Sequence, residues 1–173
     1  SGTACCDNMQ LEVGSLATSV NLVQSGSFED NNYSSSYWET SGSANTRSNE
    51  TSRDGTYCLK TVGDFSAEHW YTQYINENKT GEEATFILSG WAQACSTAYP
   101  EHDSQNRRFS LGTLFQYADG STSSQWVDFS YAVTDWQYAS KAIVPDDPTK
   151  VISNIEIFTA YYRNLNTAYF DDI

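Results

Sequence analysis

The stretch ATFILSGWAQACS, residues 84–96, decides how the rest of the chain is read. Phe86, Leu88, Gly90, Ala92 and Ala94 fall on every second position, with Thr85, Ile87, Ser89, Trp91 and Gln93 between them. A period of two places these sets on opposite faces of an extended strand, whereas a helix would scatter both. The same rhythm continues downstream. In RRFSLGTLFQY (107–117) the apolar face is Phe109, Leu111, Phe115 and Tyr117, and ADGS (118–121) then offers a turn. QWVDFSYAV (125–133) returns with Val127, Phe129, Tyr131 and Val133 together. KVISNIEIFTAYY (150–162) sets Val151, Ser153, Ile155 and Ile157 on one side, with Asn154, Glu156 and Phe158 opposite.

Between these runs lie segments rich in Ser, Asn, Gly and Asp, and no amphipathic helix interrupts them. The expectation is an all-β fold: a two-sheet antiparallel β-sandwich, best fitted by jelly-roll topology, although periodicity alone also allows an immunoglobulin-like strand order. The 173 residues suit one domain with a sizeable core, and aromatic residues make up 14 % of them.

Twenty-two acids against nine bases give a formal charge of −13. Phosphate backbones need a basic surface, so a nucleic-acid partner is excluded. The surplus leaves carboxylates available to a hard cation. No apolar run approaches the roughly 20 residues of a membrane span, and any export signal is expected outside this stretch. The cysteines at 5, 6, 58 and 95 match no zinc spacing. Cys58 and Cys95 stand in strand-like stretches, either bridged or as buried thiols.

The two ends of the chain share a phrase. GTACCDNM (2–9) and NTAYFDDI (166–173) both read Thr-Ala-x-x-Asp-x-apolar, with Asp7 and Asp171 in matching places. Tandem modules would leave such an echo. Residues 1–19 are then the end of a preceding module or a linker, and 20–173 one complete module; coincidence is the alternative.

Further motifs accumulate in order: NLVQSGSFED (21–30) followed by Trp38, SRDGTYCLKT (52–61), FILSGWAQA (86–94), TDWQYAS (134–140) and AYFDDI (168–173). Together they resemble carbohydrate-binding modules of the family 4/9/22 group, over about residues 20–173. The resemblance implies a galactose-binding-like jelly roll, carried by a secreted or cell-surface bacterial protein, extracellular or cell wall-associated. Its partners would be a polysaccharide or oligosaccharide and neighbouring modules of the same chain. The ending AYFDDI, with Gln10-Leu11-Glu12 after the echoed phrase, also resembles modules within YD-repeat (Rhs-like) surface proteins of Gram-positive bacteria.

In the resembled family a structural Ca²⁺ pins the first strand to the last. Carried over by motif, its ligands are the carbonyl of Ser27, the carboxylate of Glu29, the carbonyls of Asp54 and Tyr57, and Asp171. Such an all-oxygen set suits Ca²⁺; the alternative is that Glu29 and Asp171 are solvated turn acids or accept local backbone N–H bonds.

Sugar recognition needs flat apolar surface beside hydrogen-bonding groups. AEHWYTQYI (67–75) points Trp70, Thr72 and Tyr74 one way and Tyr71, Gln73 and Ile75 the other. The resemblance marks Trp70 as a stacking platform and Gln73 as a polar partner, although Gln73 has the wrong parity without a bulge. Trp91, Trp126, Glu156 and Tyr162 stand opposite apolar stripes and complete the ligand-binding candidates. No acid pair in a recognisable catalytic setting, nucleophile elbow or His/Glu metal spacing is present, so no enzyme is expected in this chain. The alternative to glycan binding is a structural spacer or adhesion module with no sugar site.

Overall fold

A computed structural model describes residues 21–30, 37–40, 42–76, 79–80, 85–94 and 107–173. Residues 1–19 and Cys95, which figure in the module boundary and the possible disulfide, lie outside the described set. Among the described residues there is no helix. The strands are β1 (Glu39–Thr40), β2 (Asn45–Ser48), β3 (Cys58–Val62), β4 (Glu68–Ile75), β5 (Lys79–Thr80), β6 (Phe86–Ala94), β7 (Arg108–Tyr117), β8 (Thr122–Asp128), β9 (Gln137–Ile143), β10 (Val151–Tyr162) and β11 (Thr167–Asp171).

They form two antiparallel sheets of a jelly-roll sandwich. One runs β1-β4-β10-β7-β8, with β5 also paired to β10; the other runs β2-β3-β11-β6-β9. Sequential strands repeatedly fall in different sheets, so most pairings are long-range. The β2–β3 pair and the β7–β8 hairpin are the local exceptions among the described strands. Gly120 supplies the positive φ of the hairpin turn (84°) and donates from its N–H to the Tyr117 carbonyl at 2.9 Å, while Asp119 Oδ1 accepts from the N–H and hydroxyl of Ser121.

The sheets meet through the predicted faces. Leu88, Ala92 and Ala94 of β6, Phe109, Leu111, Phe115 and Tyr117 of β7, and Ile155 and Ile157 of β10 are all buried. Phe109 sits at the centre, with ring centroids 5.1 Å from Phe129, 5.8 Å from Tyr161 and 5.7 Å from Phe170. The segment 21–30 closes one end. Phe28 is fully buried and packs on Trp38, which stacks on Tyr71 at 5.2 Å.

Two departures from simple alternation have local causes. A register shift between Ile152 and Asn154 turns Ile152 into the core, fully buried, and leaves Val151 at 45 % exposure. Val151 and Ser153 therefore do not share the core face of Ile155, because a bulge reverses parity. Val133 is exposed because β8 ends at Asp128, before the apolar stripe read from QWVDFSYAV runs out. Cys58 carries a free, buried thiol, and burial lifts its pKa to about 12.

Candidate functional site

The outward face of the β4-β10-β7-β8 sheet gathers a set of chemically distinctive side chains. Register fixes its rows. Tyr74, Glu156, Leu114 and Ser124 stand side by side, then Thr72, Phe158, Gly112 and Trp126, then Trp70, Ala160, Ser110 and Asp128, then Glu68, Tyr162 and Arg108. β1 adds Glu39 opposite Thr72 at the edge. Small residues in the middle (Gly112, Ser110, Ala160) form a floor framed by aromatic rings.

Gly112 is small because Phe158 lies on it. A Cβ there would come 2.5 Å from Phe158 Cζ and 2.9 Å from Trp126 Cζ3. Trp126 meets Phe158 edge-on at 5.3 Å and Tyr162 edge-on at 6.2 Å. The Arg108 guanidinium lies over the Trp126 ring, 4.5 Å from its centroid, and reaches Asp128 Oδ1 at 3.3 Å. Asp128 also accepts from the Ser110 hydroxyl at 2.6 Å. Arg108 therefore covers one face of Trp126.

At the other end, Tyr74 is 44 % exposed and stands opposite Glu156. The Thr72 hydroxyl donates to Glu156 Oε1 at 2.9 Å and so orients this carboxylate. Burial raises the Tyr162 phenol to about 12, with Glu68 and Glu156 adding to the shift. Burial also raises Tyr74, helped by Glu156 and Glu39. Both phenols remain neutral donors at neutral pH.

Of the six sequence-predicted ligand-binding residues, Trp70, Trp126, Glu156 and Tyr162 share this face. Gln73 does not. It faces inward, is 3 % exposed, and uses both amide atoms on Gln24: Oε1 accepts from the Gln24 N–H at 2.7 Å and Nε2 donates to the Gln24 carbonyl at 2.9 Å. No bulge interrupts β4 to turn it outward, so its role is to clamp the first segment. Trp91 belongs to the other sheet, in register with Asp171 and Tyr138, and its ring packs on Tyr138 at 5.4 Å beneath the Arg53 guanidinium at 4.2 Å. Sequence reading omitted Tyr74, Phe158, Arg108 and Asp128. Tyr74 and Phe158 were signalled by parity with Trp70 and Glu156; the other two depend on the β7–β8 register.

Of the predicted metal ligands, Asp54 and Tyr57 belong to the turn 52–57 on the far side of the sandwich, and the carboxylates of Glu29 and Asp171 both reach that turn. Glu29 Oε1 accepts from the N–H groups of Thr56 and Tyr57 at 2.8 and 2.6 Å. Asp171 Oδ2 accepts from the Arg53 N–H at 2.8 Å, and Oδ1 from the Asp172 N–H at 3.0 Å. Arg47 ties the turn to the first segment, donating to the carbonyls of Phe28 and Glu29 with its guanidinium over the Tyr57 ring. Asp171 is fully buried without an ion pair among the described residues, and that burial raises its pKa from 3.8 to about 7. No three His, Cys, Asp or Glu side chains converge among the described residues, so a metal here would depend on main-chain oxygens.

No family model matches the sequence. Over 177 aligned positions, 99 % of this chain, it is 27 % identical to the tRNA nuclease WapA of Bacillus subtilis (strain 168), and it spans about 7 % of that relative's length. Among solved structures, a family 16 carbohydrate-binding module superposes with a TM-score of 0.64 at 20 % identity, covering 88 % of this chain and 97 % of that one. A xylan-binding domain of family 22 gives 0.57 at 15 % identity, covering 84 and 88 %. A family 61 module in complex with β-1,4-galactotriose gives 0.54 at 15 % identity, covering 89 and 96 %. These likenesses establish the fold: this chain has the jelly-roll sandwich of carbohydrate-binding modules.

Proposed function

We propose that this chain is a non-catalytic module that binds a polysaccharide or oligosaccharide on the outward face of β4, β10, β7 and β8. One observation carries the reading: Trp70, Tyr74 and Tyr162 share one sheet face with a carboxylate, Glu156, which stands opposite Tyr74 and which Thr72 holds in place. Pyranose rings present C–H faces to aromatic rings and hydroxyls to a fixed acceptor, so this pairing of surfaces matches their chemistry. Trp126 and Phe158 serve as the wall and floor, since Arg108 already covers one Trp126 face.

The bound ion of this reading is a structural Ca²⁺ at the 52–57 turn, held by Glu29, Asp171 and the carbonyls of Ser27, Asp54 and Tyr57. A fully buried carboxylate without a cation is costly, and a divalent ion would offset that cost. The ion would brace the junction of the first segment and the last strand; nothing at the turn positions a substrate. The module would act within a longer bacterial surface or secreted protein, beside further modules. A charge of −13 argues against contact with tRNA by this segment, whatever the activity of proteins like WapA.

Affinity electrophoresis and calorimetry against xylan, β-1,4-galactan, β-glucans and bacterial wall glycans test the proposal. Binding that Trp70→Ala abolishes is expected. Failure of the intact protein to bind any of these glycans would leave the spacer reading in its place.

A further inference from the structure

Resting on the proposed glycan face, we infer that its β1–β4 end selects saccharides carrying free, protonated amino groups and rejects uronate-bearing ones. The geometry behind this is a surplus of acceptors around exposed aromatic surface. Glu39 stands opposite Thr72 on the edge strand, diagonal to both Trp70 and Tyr74; Glu156 stands opposite Tyr74 on the other flank. Diagonal neighbours in a sheet are within reach of long side chains. Tyr74 is thus an exposed ring between two carboxylates, neither of which forms an ion pair among the described residues.

Among the described residues, the guanidinium groups flanking this face are already engaged. Arg108 faces Asp128 at 3.3 Å and Arg163 faces Glu68 at 3.8 Å. A carboxylate on the ligand would meet Glu39 and Glu156 with no free guanidinium to receive it. A ligand ammonium would gain two anionic acceptors and an aromatic face, the three elements that recognise a cation at a partly desolvated site. The Thr72 hydroxyl, already directed at Glu156, keeps that carboxylate facing the same space.

The test compares glucosamine tetramer, its fully N-acetylated counterpart and a galacturonate tetramer, each titrated calorimetrically into the protein in roughly 0.15 M salt to damp long-range attraction. At about pH 6, where the amine is protonated, the glucosamine tetramer should bind about tenfold more tightly than the acetylated one, and the galacturonate tetramer not at all. Glu39→Gln and Glu156→Gln should each reduce the amine preference, whereas Asp135→Asn, an exposed acid on the β8–β9 connection, should leave it intact. Equal affinity for both hexosamine tetramers, or an equal loss in Asp135→Asn, would overturn the inference while leaving glycan binding standing. Absence of binding by all three tetramers and by the polysaccharides above would overturn both.

Discussion

Adding one methyl group at Gly112 tests the packing of the proposed binding face. The new carbon would lie 2.5 Å from Phe158 Cζ and 2.9 Å from Trp126 Cζ3, whereas ordinary contact begins at 3.4 Å. The Phe158 ring must therefore retreat by roughly 1 Å to reach normal carbon–carbon separation. It has little room: Phe158 is 8 % exposed and is held edge-on against Trp126. Overpacking of this kind costs about 1–3 kcal/mol. Urea denaturation of Gly112→Ala should show the midpoint falling with an unchanged slope, and glycan affinity should fall because the wall at Trp126 moves. Removing the obstructing ring should remove the penalty. In the cycle of Gly112→Ala with Phe158→Leu, a coupling of at least about 1 kcal/mol is expected, since contacting residues are non-additive. Strict additivity would refute the claim that Gly112 is small to seat Phe158.

Thr113→Val should stabilise the protein by about 1 kcal/mol in thermal or urea melts, because the Thr113 hydroxyl is buried in the core without a hydrogen-bond partner among the described residues. Asn164→Ala should cost about 3 kcal/mol in the same melts. Asn164 is 1 % exposed, accepts from Arg107 at 2.7 Å and donates to the carbonyls of Arg108 and Tyr162 at 2.6 and 2.9 Å. Asp171 gives a pH signature in metal-free protein: its folded pKa of about 7 exceeds the ordinary 3.8, so the native state holds a proton that the unfolded state releases. Stability should therefore fall as pH rises from about 4 to 7. Asp119 and Asp147, both held below the ordinary range by their hydrogen bonds to Ser121 and Thr149, act in the opposite direction below about pH 4. Asp171→Asn should flatten the upper slope in urea melts with EDTA, and Asp171→Ala should abolish any Ca²⁺-dependent rise in melting temperature. Trp91→Ala should leave glycan affinity unchanged in the assay where Trp70→Ala abolishes it, because the two residues lie on different sheets.

Much of the face was legible because a strand's parity is written in its sequence. Trp70, Thr72 and Tyr74 share one side of β4 as alternation predicts, as do Glu156 and Phe158 on β10. Parity also argued against Gln73, and only the family resemblance placed it among the ligands; its burial follows from the Gln24 backbone, 49 residues away in sequence. The bulge in β10 left no clear mark, since it depends on how Tyr117 and β5 meet that strand. Long-range register was equally hidden. No local pattern pairs Gly112 with Phe158, or sets Glu39 beside Thr72, because those neighbours meet only when β7 joins β10 and β1 joins β4. The acidic turn was legible only through the resemblance, since Glu29 and Asp171 look like ordinary loop and strand-end acids until the 52–57 turn folds over both.

The placement of these features on opposite sheets constrains how they can influence one another. Glu29, the 52–57 turn and Asp171 lie on the outward side of β3, β11 and β6, with Trp91 packed beneath Arg53 as part of the same assembly. Trp70, Tyr74, Glu156 and Tyr162 lie on the outward side of β4 and β10, beyond a core centred on Phe109 and Phe170. A packed interior of this kind resists small continuous deformation, and the first segment is its most direct bridge. Gln24 is clamped by Gln73 from behind the proposed glycan face, while Glu29 reaches the 52–57 turn. An ion at the turn would therefore strengthen the hold of that segment and raise the unfolding temperature. It would leave the rows of side chains on the proposed binding face in the register that the β4–β10 and β10–β7 ladders already impose.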